Sequence, residues 1–225
     1  MRRELLTAFL AVVIFTITLG FVYPMLVTGV SQGLFPGKAN GSLIKRNGVV
    51  VGSAIIGQAF EIQPTKNGKP EVDKTNGPVL IPDKRYFQSR PSGTGEPYTT
   101  GGTPYNAAAT TFSNLGPNEA AAATIYEGNI TAYLALEKPY DRSLTKASIP
   151  VDAINSSASG VDPDISVANA DIQAYRIAAV RHVSLTTVHG LISKYTNGNS
   201  LGFLGEPGVD VLELNLALDR LTGSK

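Results

Sequence analysis

The chain has 225 residues, of which 43% are hydrophobic, and its 19 basic residues almost balance its 18 acidic ones. This balance lacks the basic excess that binding to a phosphate backbone requires, so nucleic acid is not an expected partner. The absence of cysteine excludes thiol nucleophiles, thiolate zinc sites and iron–sulfur clusters.

An uncharged apolar run occupies residues 5–30 and contains no Asp, Glu, Lys, Arg or His. A bilayer core needs about 20 apolar residues in a helix, whereas a cleaved signal peptide has an apolar core of about 7 to 15. We therefore predict a tail and transmembrane helix over residues 1–30, with a cleaved signal sequence as the alternative. Thr16 and Gly20 stand four residues apart, the small-residue spacing typical of packing between membrane helices.

The basic residues around this run predict its orientation. Arg2 and Arg3 adjoin the run directly, whereas Lys38 follows it at a distance, and large domains cross a membrane largely regardless of their charge. We expect the amino terminus in the cytoplasm and residues 31–225 outside it, as one soluble α+β domain with antiparallel strands.

Turn and loop signals dominate the next part of the chain. Asn47-Gly48 lies between β-branched runs and predicts a β-hairpin over residues 43–51. Residues 63–84 and 93–103 are rich in Pro, Gly and polar residues without a period, and they are predicted as irregular loops.

Helical patterns follow in the second half. Helices are predicted over residues 119–137, from a cap at Ser166 to Arg181, and from a cap at Ser184 to Tyr195. Strands are predicted over residues 149–154, 202–204 and 209–216; in the last, Leu212, Leu214 and Leu216 alternate with polar residues.

Motifs for chemistry are weak. His182 and His189 are seven residues apart, whereas metal-binding pairs on a helix are usually four apart. Asp162-Pro163-Asp164 favours a turn before a helix over a cation site. We predict no catalytic residue and no metal site. Pairs of carboxylates that cleave sugars are defined by their distance in the folded structure, so the sequence leaves that alternative open.

Several recognisable blocks nevertheless follow one another over nearly the whole chain. They are Gly20-Phe21-Val22-Tyr23-Pro24, Tyr86-Phe87-Gln88-Ser89-Arg90-Pro91-Ser92, Ser113-Asn114-Leu115-Gly116-Pro117-Asn118, Ser157-Ala158-Ser159-Gly160 and Val211-Leu212-Glu213-Leu214-Asn215-Leu216-Ala217-Leu218-Asp219. In this order the blocks resemble the KdpC family, the C subunits of the Kdp potassium-transporting ATPase.

The resemblance implies a non-catalytic accessory subunit of the cell membrane. Its partners would be the ATP-hydrolysing subunit, the potassium-channel-like subunit and the small subunit of the complex. It would assist assembly and act as a catalytic chaperone that raises the ATP affinity of the hydrolysing subunit, and it would shape potassium access. It would have no cofactor of its own: the partner subunits would handle ATP and potassium, and this chain would contribute to ATP binding. The alternatives are a membrane-anchored extracytoplasmic hydrolase and a free-standing binding protein.

Within the resembling blocks, Tyr86, Phe87, Arg90 and Pro91 are candidates for partner docking, because aromatic and Arg residues concentrate binding energy at interfaces. The alternative for this segment is a buried strand that ends in a paired Arg. Four further residues have predicted structural roles: Asn114 and Gly116 at a helix entry, and Asn215 and Asp219 at the cap or end of the last element.

Overall fold

The computed structural model describes residues 2–73, 77–94, 105–106, 108–111, 114–116, 118–199 and 201–223. Two compact units are present, Met1–Ser53 and Ala54–Lys225. The helices are α1 (Arg2–Ile17), α2 (Tyr23–Leu34), α3 (Pro36–Ala39), α4 (Ala120–Glu137), α5 (Val167–Arg181), α6 (Leu185–Lys194) and α7 (Val211–Thr222). The strands are β1 (Leu43–Arg46), β2 (Val49–Ser53), β3 (Glu61–Ile62), β4 (Thr65–Lys66), β5 (Lys69–Pro70), β6 (Val72–Asp73), β7 (Gly77–Pro78), β8 (Ile81–Pro82), β9 (Asp164–Ser166), β10 (Thr196–Asn197) and β11 (Gly208–Asp210).

The first unit begins with a 33-residue helix, Arg2–Leu34, which is long and apolar enough to cross a membrane. A π-helical turn at Thr18–Val22 separates α1 from α2, and the Tyr23 backbone N–H donates to the Thr18 carbonyl. Pro24 has no N–H to donate one turn back, and such a gap is a common cause of a local change in helix pitch. The predicted apolar helix is confirmed, with its end at residue 34.

The predicted hairpin is confirmed as the β1–β2 pair. Arg46 lies opposite Val49 in the antiparallel register. Asn47 and Gly48 have φ values of 52° and 81°. This left-handed pair matches the right-handed twist of the strands, which explains why Asn-Gly is placed there.

In the second unit, the predicted loop at residues 63–84 is instead a series of short antiparallel ladders. The pairs are β3 with β8, β4 with β5, and β6 with β7. Each strand has two residues, too short for alternation to appear in the sequence. The predicted loop at residues 93–103 lies, beyond Thr94, outside the described residues.

The core forms between a small sheet and three helices. The sheet order is β10-β11-β9, all antiparallel. The sheet packs with α5, α6 and α7 around buried apolar side chains. The largest of these are Phe87, Ile165, Ile177, Ile192, Leu214 and Leu218. The α+β class with antiparallel strands is confirmed.

The helix predictions are confirmed, with side-chain caps as expected. Ser166 accepts from the Asn169 N–H at the start of α5, and Ser184 accepts from the Thr187 N–H at the start of α6. Such caps satisfy amide groups that the first helical turn leaves without a partner.

Three strand predictions are wrong in whole or in part. Residues 149–154 contain a 3₁₀ turn at Val151–Ala153, which follows another at Lys146–Ser148. Residues 202 and 203 lie in a turn, and Leu204 forms an isolated bridge. Of the last predicted strand, only Val209 and Asp210 are extended, as part of β11. The rest of that stretch is α7, because Asp210 accepts from the Glu213 N–H and starts a helix.

Candidate functional site

The segment from Tyr86 to Gln88 is held by two buried side-chain amides. Asn215 of α7 accepts from the Phe87 N–H at 2.8 Å and donates to the Phe87 carbonyl at 2.9 Å. Gln173 of α5 makes the same reciprocal pair with the backbone of Gln88, at 2.7 and 3.0 Å. The two amides thus supply the backbone hydrogen bonds that a neighbouring strand would otherwise provide.

A buried ion pair reinforces this arrangement from α4 and α5. The Arg176 Nε donates to both oxygens of Glu137 at 2.9 and 3.0 Å, and both side chains are almost fully buried. The Arg176 Nη1 donates to the carbonyls of Lys84 and Tyr86, at 2.6 and 2.9 Å. Burial raises the pKa of Glu137, and Arg176 opposes that rise. One guanidinium therefore joins two helices to the Lys84–Tyr86 backbone.

Tyr86 lies between aromatic and cationic groups at the edge of the unit. Its ring centroid is 5.5 Å from that of Phe60 and 4.6 Å from the guanidinium carbon of Arg181. Its hydroxyl donates to Asp219 at 3.3 Å, and Asp219 pairs with Arg181 at 3.0 Å. Burial, followed by the Asp219 charge, raises the pKa of Tyr86. The ring is half-buried, so part of it remains accessible.

The other docking candidates differ sharply in accessibility. Phe87 is 0% exposed and belongs to the core, so its side chain offers no surface to a partner. Arg90 is partly exposed and pairs with Asp162 at 2.9 Å, and Pro91 is half-buried. The predicted docking set is thereby divided: Phe87 has a core position, whereas Tyr86, Arg90 and Pro91 reach the surface.

Acidic residues cluster beside the β9–β11 pair. Burial, and then the charge of Asp162, raises the pKa of Asp164. Burial raises the pKa of Asp210 to about 6, aided by the negative charges of Glu213 and Asp164. Within the described part of the chain, no group of three or more His, Asp or Glu side chains could hold a metal ion.

The predicted structural residues take varied positions. Asn114 has a left-handed φ of 55°, and the Gly116 carbonyl accepts from the Glu119 N–H just before α4. Asn215 lies in the middle of α7 rather than at its end, and Asp219 lies in its last turn. In the other unit, Thr16 lies in α1 and Gly20 in the π-helical turn.

Sequence reasoning missed Gln173, Arg176 and Glu137. A signal was present, because Gln173 and Arg176 are three residues apart on a helix whose neighbours Ala170, Ala174 and Ile177 are apolar. Polar side chains on a buried face need partners, so such a pair predicts a buried network. The partner backbone 85 to 92 residues away could not be read from the sequence.

Fold and site together define a class of protein: an N-terminal helix of membrane-spanning length, followed by an α+β unit whose helices α5 and α7 clamp the segment Tyr86–Gln88.

Comparison with known proteins identifies the family within that class. The sequence model of KdpC, described as "K+-transporting ATPase, c chain", matches residues 5–220. A "Potassium-transporting ATPase KdpC subunit" of Mycobacterium bovis is 43% identical over 222 residues, covering 98% of this chain and 100% of that protein. Proteins with the same name from Herpetosiphon aurantiacus and Streptomyces avermitilis are 40% and 38% identical, over 98% and 95% of this chain and 98% and 92% of their own lengths.

The chain therefore belongs to the KdpC family. That family is one of accessory subunits, not of the catalytic subunit. The resemblance stated from the sequence blocks is confirmed, and the hydrolase alternative receives no support.

Proposed function

We propose that this chain is a membrane-anchored accessory subunit of an ATP-driven potassium uptake complex. It assists assembly with the ATP-hydrolysing, channel-like and small subunits, and it raises the ATP affinity of the hydrolysing subunit. The observation that carries the proposal is the match over residues 5–220, which includes both the apolar helix and the clamped segment.

Orientation determines how such an effect on ATP would act. With the amino terminus in the cytoplasm, the α+β unit lies outside and cannot touch a cytoplasmic nucleotide site. The coupling is then indirect: the accessory subunit binds more tightly to the conformational state of the pump that ATP also favours. The ATP affinity rises by at most the difference in the subunit's binding free energy for the two states. A rigid domain suits this role, and the buried clamp around Phe87 and Gln88 supports such rigidity.

For docking we propose the surface formed by Tyr86, Arg90 and Pro91, the accessible members of the predicted set. Arg90 is the sharpest place to test it, because its ion pair with Asp162 provides a matched control. Both Arg90→Ala and Asp162→Asn remove the same pair, but only the first removes a guanidinium that a partner can bind.

The experiment is co-purification of the whole complex with each variant, together with the ATP concentration dependence of hydrolysis. If Arg90 contacts a partner, Arg90→Ala lowers recovery of this chain and raises the half-saturating ATP concentration more than Asp162→Asn does. Equal losses would show that Arg90 acts only through its pair inside the domain. If the complex assembled fully and bound ATP equally well without this chain, the proposed function itself would be wrong.

A further inference from the structure

The chain just after the apolar helix has an unusual charge pattern. Between Leu5 and Phe60 there is no acidic residue, and the only charged residues are Lys38, Lys45 and Arg46. Lys38 and Lys45 are exposed. The β1–β2 hairpin, residues 43–53, therefore belongs to a cationic stretch with no compensating carboxylate of its own.

The same hairpin exposes large aliphatic side chains. Leu43, Val49 and Val50 are 52%, 66% and 48% exposed. Val49 and Val50 follow the turn directly, and Val50 is paired with Lys45 across the strands. Aliphatic and cationic side chains thus share a small two-stranded element, which has too little buried surface to be stable in isolation.

Side-chain hydrogen bonds fix this hairpin to the end of the long helix, inside one compact unit. Gln32 of α2 and Asn40 exchange reciprocal amide hydrogen bonds at 3.2 and 3.0 Å. Asn40 also donates to the Pro36 carbonyl at 2.7 Å, and the Ser53 hydroxyl donates to the Gly41 carbonyl at 2.7 Å. The base of the hairpin is therefore held at the level where α2 ends.

From this juxtaposition we infer that the hairpin is a lipid-binding element that lies in the headgroup region of the bilayer crossed by the helix. Its aliphatic side chains enter the boundary with the acyl chains, and Lys38 and Lys45 pair with phosphates of anionic phospholipids. The inference rests on the membrane anchoring proposed above, and it holds for either orientation because it needs only the leaflet next to Leu34.

Charge and continuity favour a lipid surface over a protein partner. Long basic side chains place their stems in apolar surroundings and their charge at phosphate level, so Lys beside exposed Leu and Val suits the headgroup boundary. Each Lys or Arg near an anionic membrane contributes about 1 kcal/mol, or about a fivefold change in partition. The helix already holds this hairpin at the level of the membrane surface, so the hairpin does not have to diffuse to the bilayer before it binds lipid.

The test uses the absence of cysteine, because one introduced thiol gives a unique label. The full chain carrying Val49→Cys is labelled with an environment-sensitive fluorophore and reconstituted into phosphatidylcholine vesicles with or without phosphatidylglycerol. Val151→Cys is the matched control, because Val151 is 69% exposed but lies in the α+β unit. Quenching by nitroxide-bearing lipid reports contact with the bilayer.

We expect strong lipid quenching of the Val49 label, increased by phosphatidylglycerol, and little quenching of the Val151 label. In Lys38→Gln/Lys45→Gln the increase caused by phosphatidylglycerol should largely disappear. Equal quenching at the two positions, or a Val49 label shielded only when other subunits of the pump are present, would overturn the inference in favour of water or a protein partner.

Resistance of the reconstituted chain to alkaline extraction distinguishes loss of the membrane anchor from loss of lipid binding by the hairpin. A chain that resists extraction but leaves the Val49 label in water keeps its anchor and refutes the lipid-binding hairpin. A chain that is released by alkali refutes the anchor, and with it the membrane part of the proposed function.

Discussion

Asn215 of α7 is a residue on which the clamp depends directly, because its single side chain satisfies both backbone groups of Phe87. Both hydrogen bonds are buried, so no water can replace them when the amide is removed. An unsatisfied buried donor or acceptor costs about 1 to 3 kcal/mol, and here one substitution leaves one of each.

Asn215→Leu should therefore lower the free energy of unfolding by about 2 to 6 kcal/mol, through the two unpaired groups. Asn129→Leu is the control, since Asn129 is half-buried and donates one hydrogen bond, to the Ile154 carbonyl. Denaturant unfolding of the full chain in detergent measures both variants. Comparable small losses would mean that the Phe87 backbone finds other partners.

Asp210 gives a pH dependence whose sign follows from its raised pKa. Because the pKa is about 6 in the folded protein and near 4 in an unfolded chain, the folded state holds its proton more tightly. The contribution of Asp210 to stability is thus greatest below pH 4 and is lost as the pH rises to about 6.

Asp210→Asn should remove the loss of stability that accompanies ionisation of Asp210, while keeping an oxygen that accepts from the Glu213 N–H. Relative to the original chain, we expect the variant to gain about 1 kcal/mol between pH 4 and pH 7. Thermal unfolding across this range provides the measurement, and Asp141→Asn, in a solvent-facing turn, is the control. An unchanged pH profile would show that Asp210 ionises normally.

At the scale of elements, α7 is the clearest case in which two patterns compete. Alternation of Leu212, Leu214 and Leu216 suggests a strand, whereas Asp210 followed three residues later by Glu213 is a helix-start signal. The structure follows the second pattern: Leu214 and Leu218 are fully buried at helical spacing, and Leu216 is only half-buried.

Alanine substitution separates helix from strand in solution. In a helix, Leu214→Ala and Leu218→Ala should each cost about 2 to 5 kcal/mol, and Leu216→Ala clearly less. An inward strand face would instead make Leu214 and Leu216 equally costly. Equilibrium unfolding of the three variants decides between the two, and equal losses at 214 and 216 would contradict the helix.

How much of the molecule the sequence could predict depends on the range of the interactions. The apolar helix, the Asn47-Gly48 hairpin and the Ser-capped helices are local, and all are confirmed. The two-residue ladders of residues 61–82 carry too little periodic signal. The clamp joins residues 85 to 128 positions apart, and no local pattern encodes such a pairing.

At the scale of the whole molecule, the least constrained prediction is its orientation in the membrane. The basic residues on the two sides of the apolar run are nearly equal in number, and only the closeness of Arg2 and Arg3 to the run favours a cytoplasmic amino terminus. The indirect coupling to ATP depends on this choice, since an α+β unit in the cytoplasm could act on the nucleotide site directly.

Labelling of single introduced cysteines decides the orientation, because the chain has no cysteine of its own. Val151→Cys in the α+β unit and a cysteine inserted between Met1 and Arg2, which keeps both arginines, are treated with a membrane-impermeant maleimide, first in intact cells and then after lysis. Where the outer envelope excludes the reagent, sealed right-side-out vesicles replace cells. We expect the cysteine at position 151 to react before lysis and the inserted cysteine only afterwards. The reverse pattern would place the α+β unit in the cytoplasm, and direct contact with the ATP-hydrolysing subunit would then replace state-selective binding as the route to a raised ATP affinity.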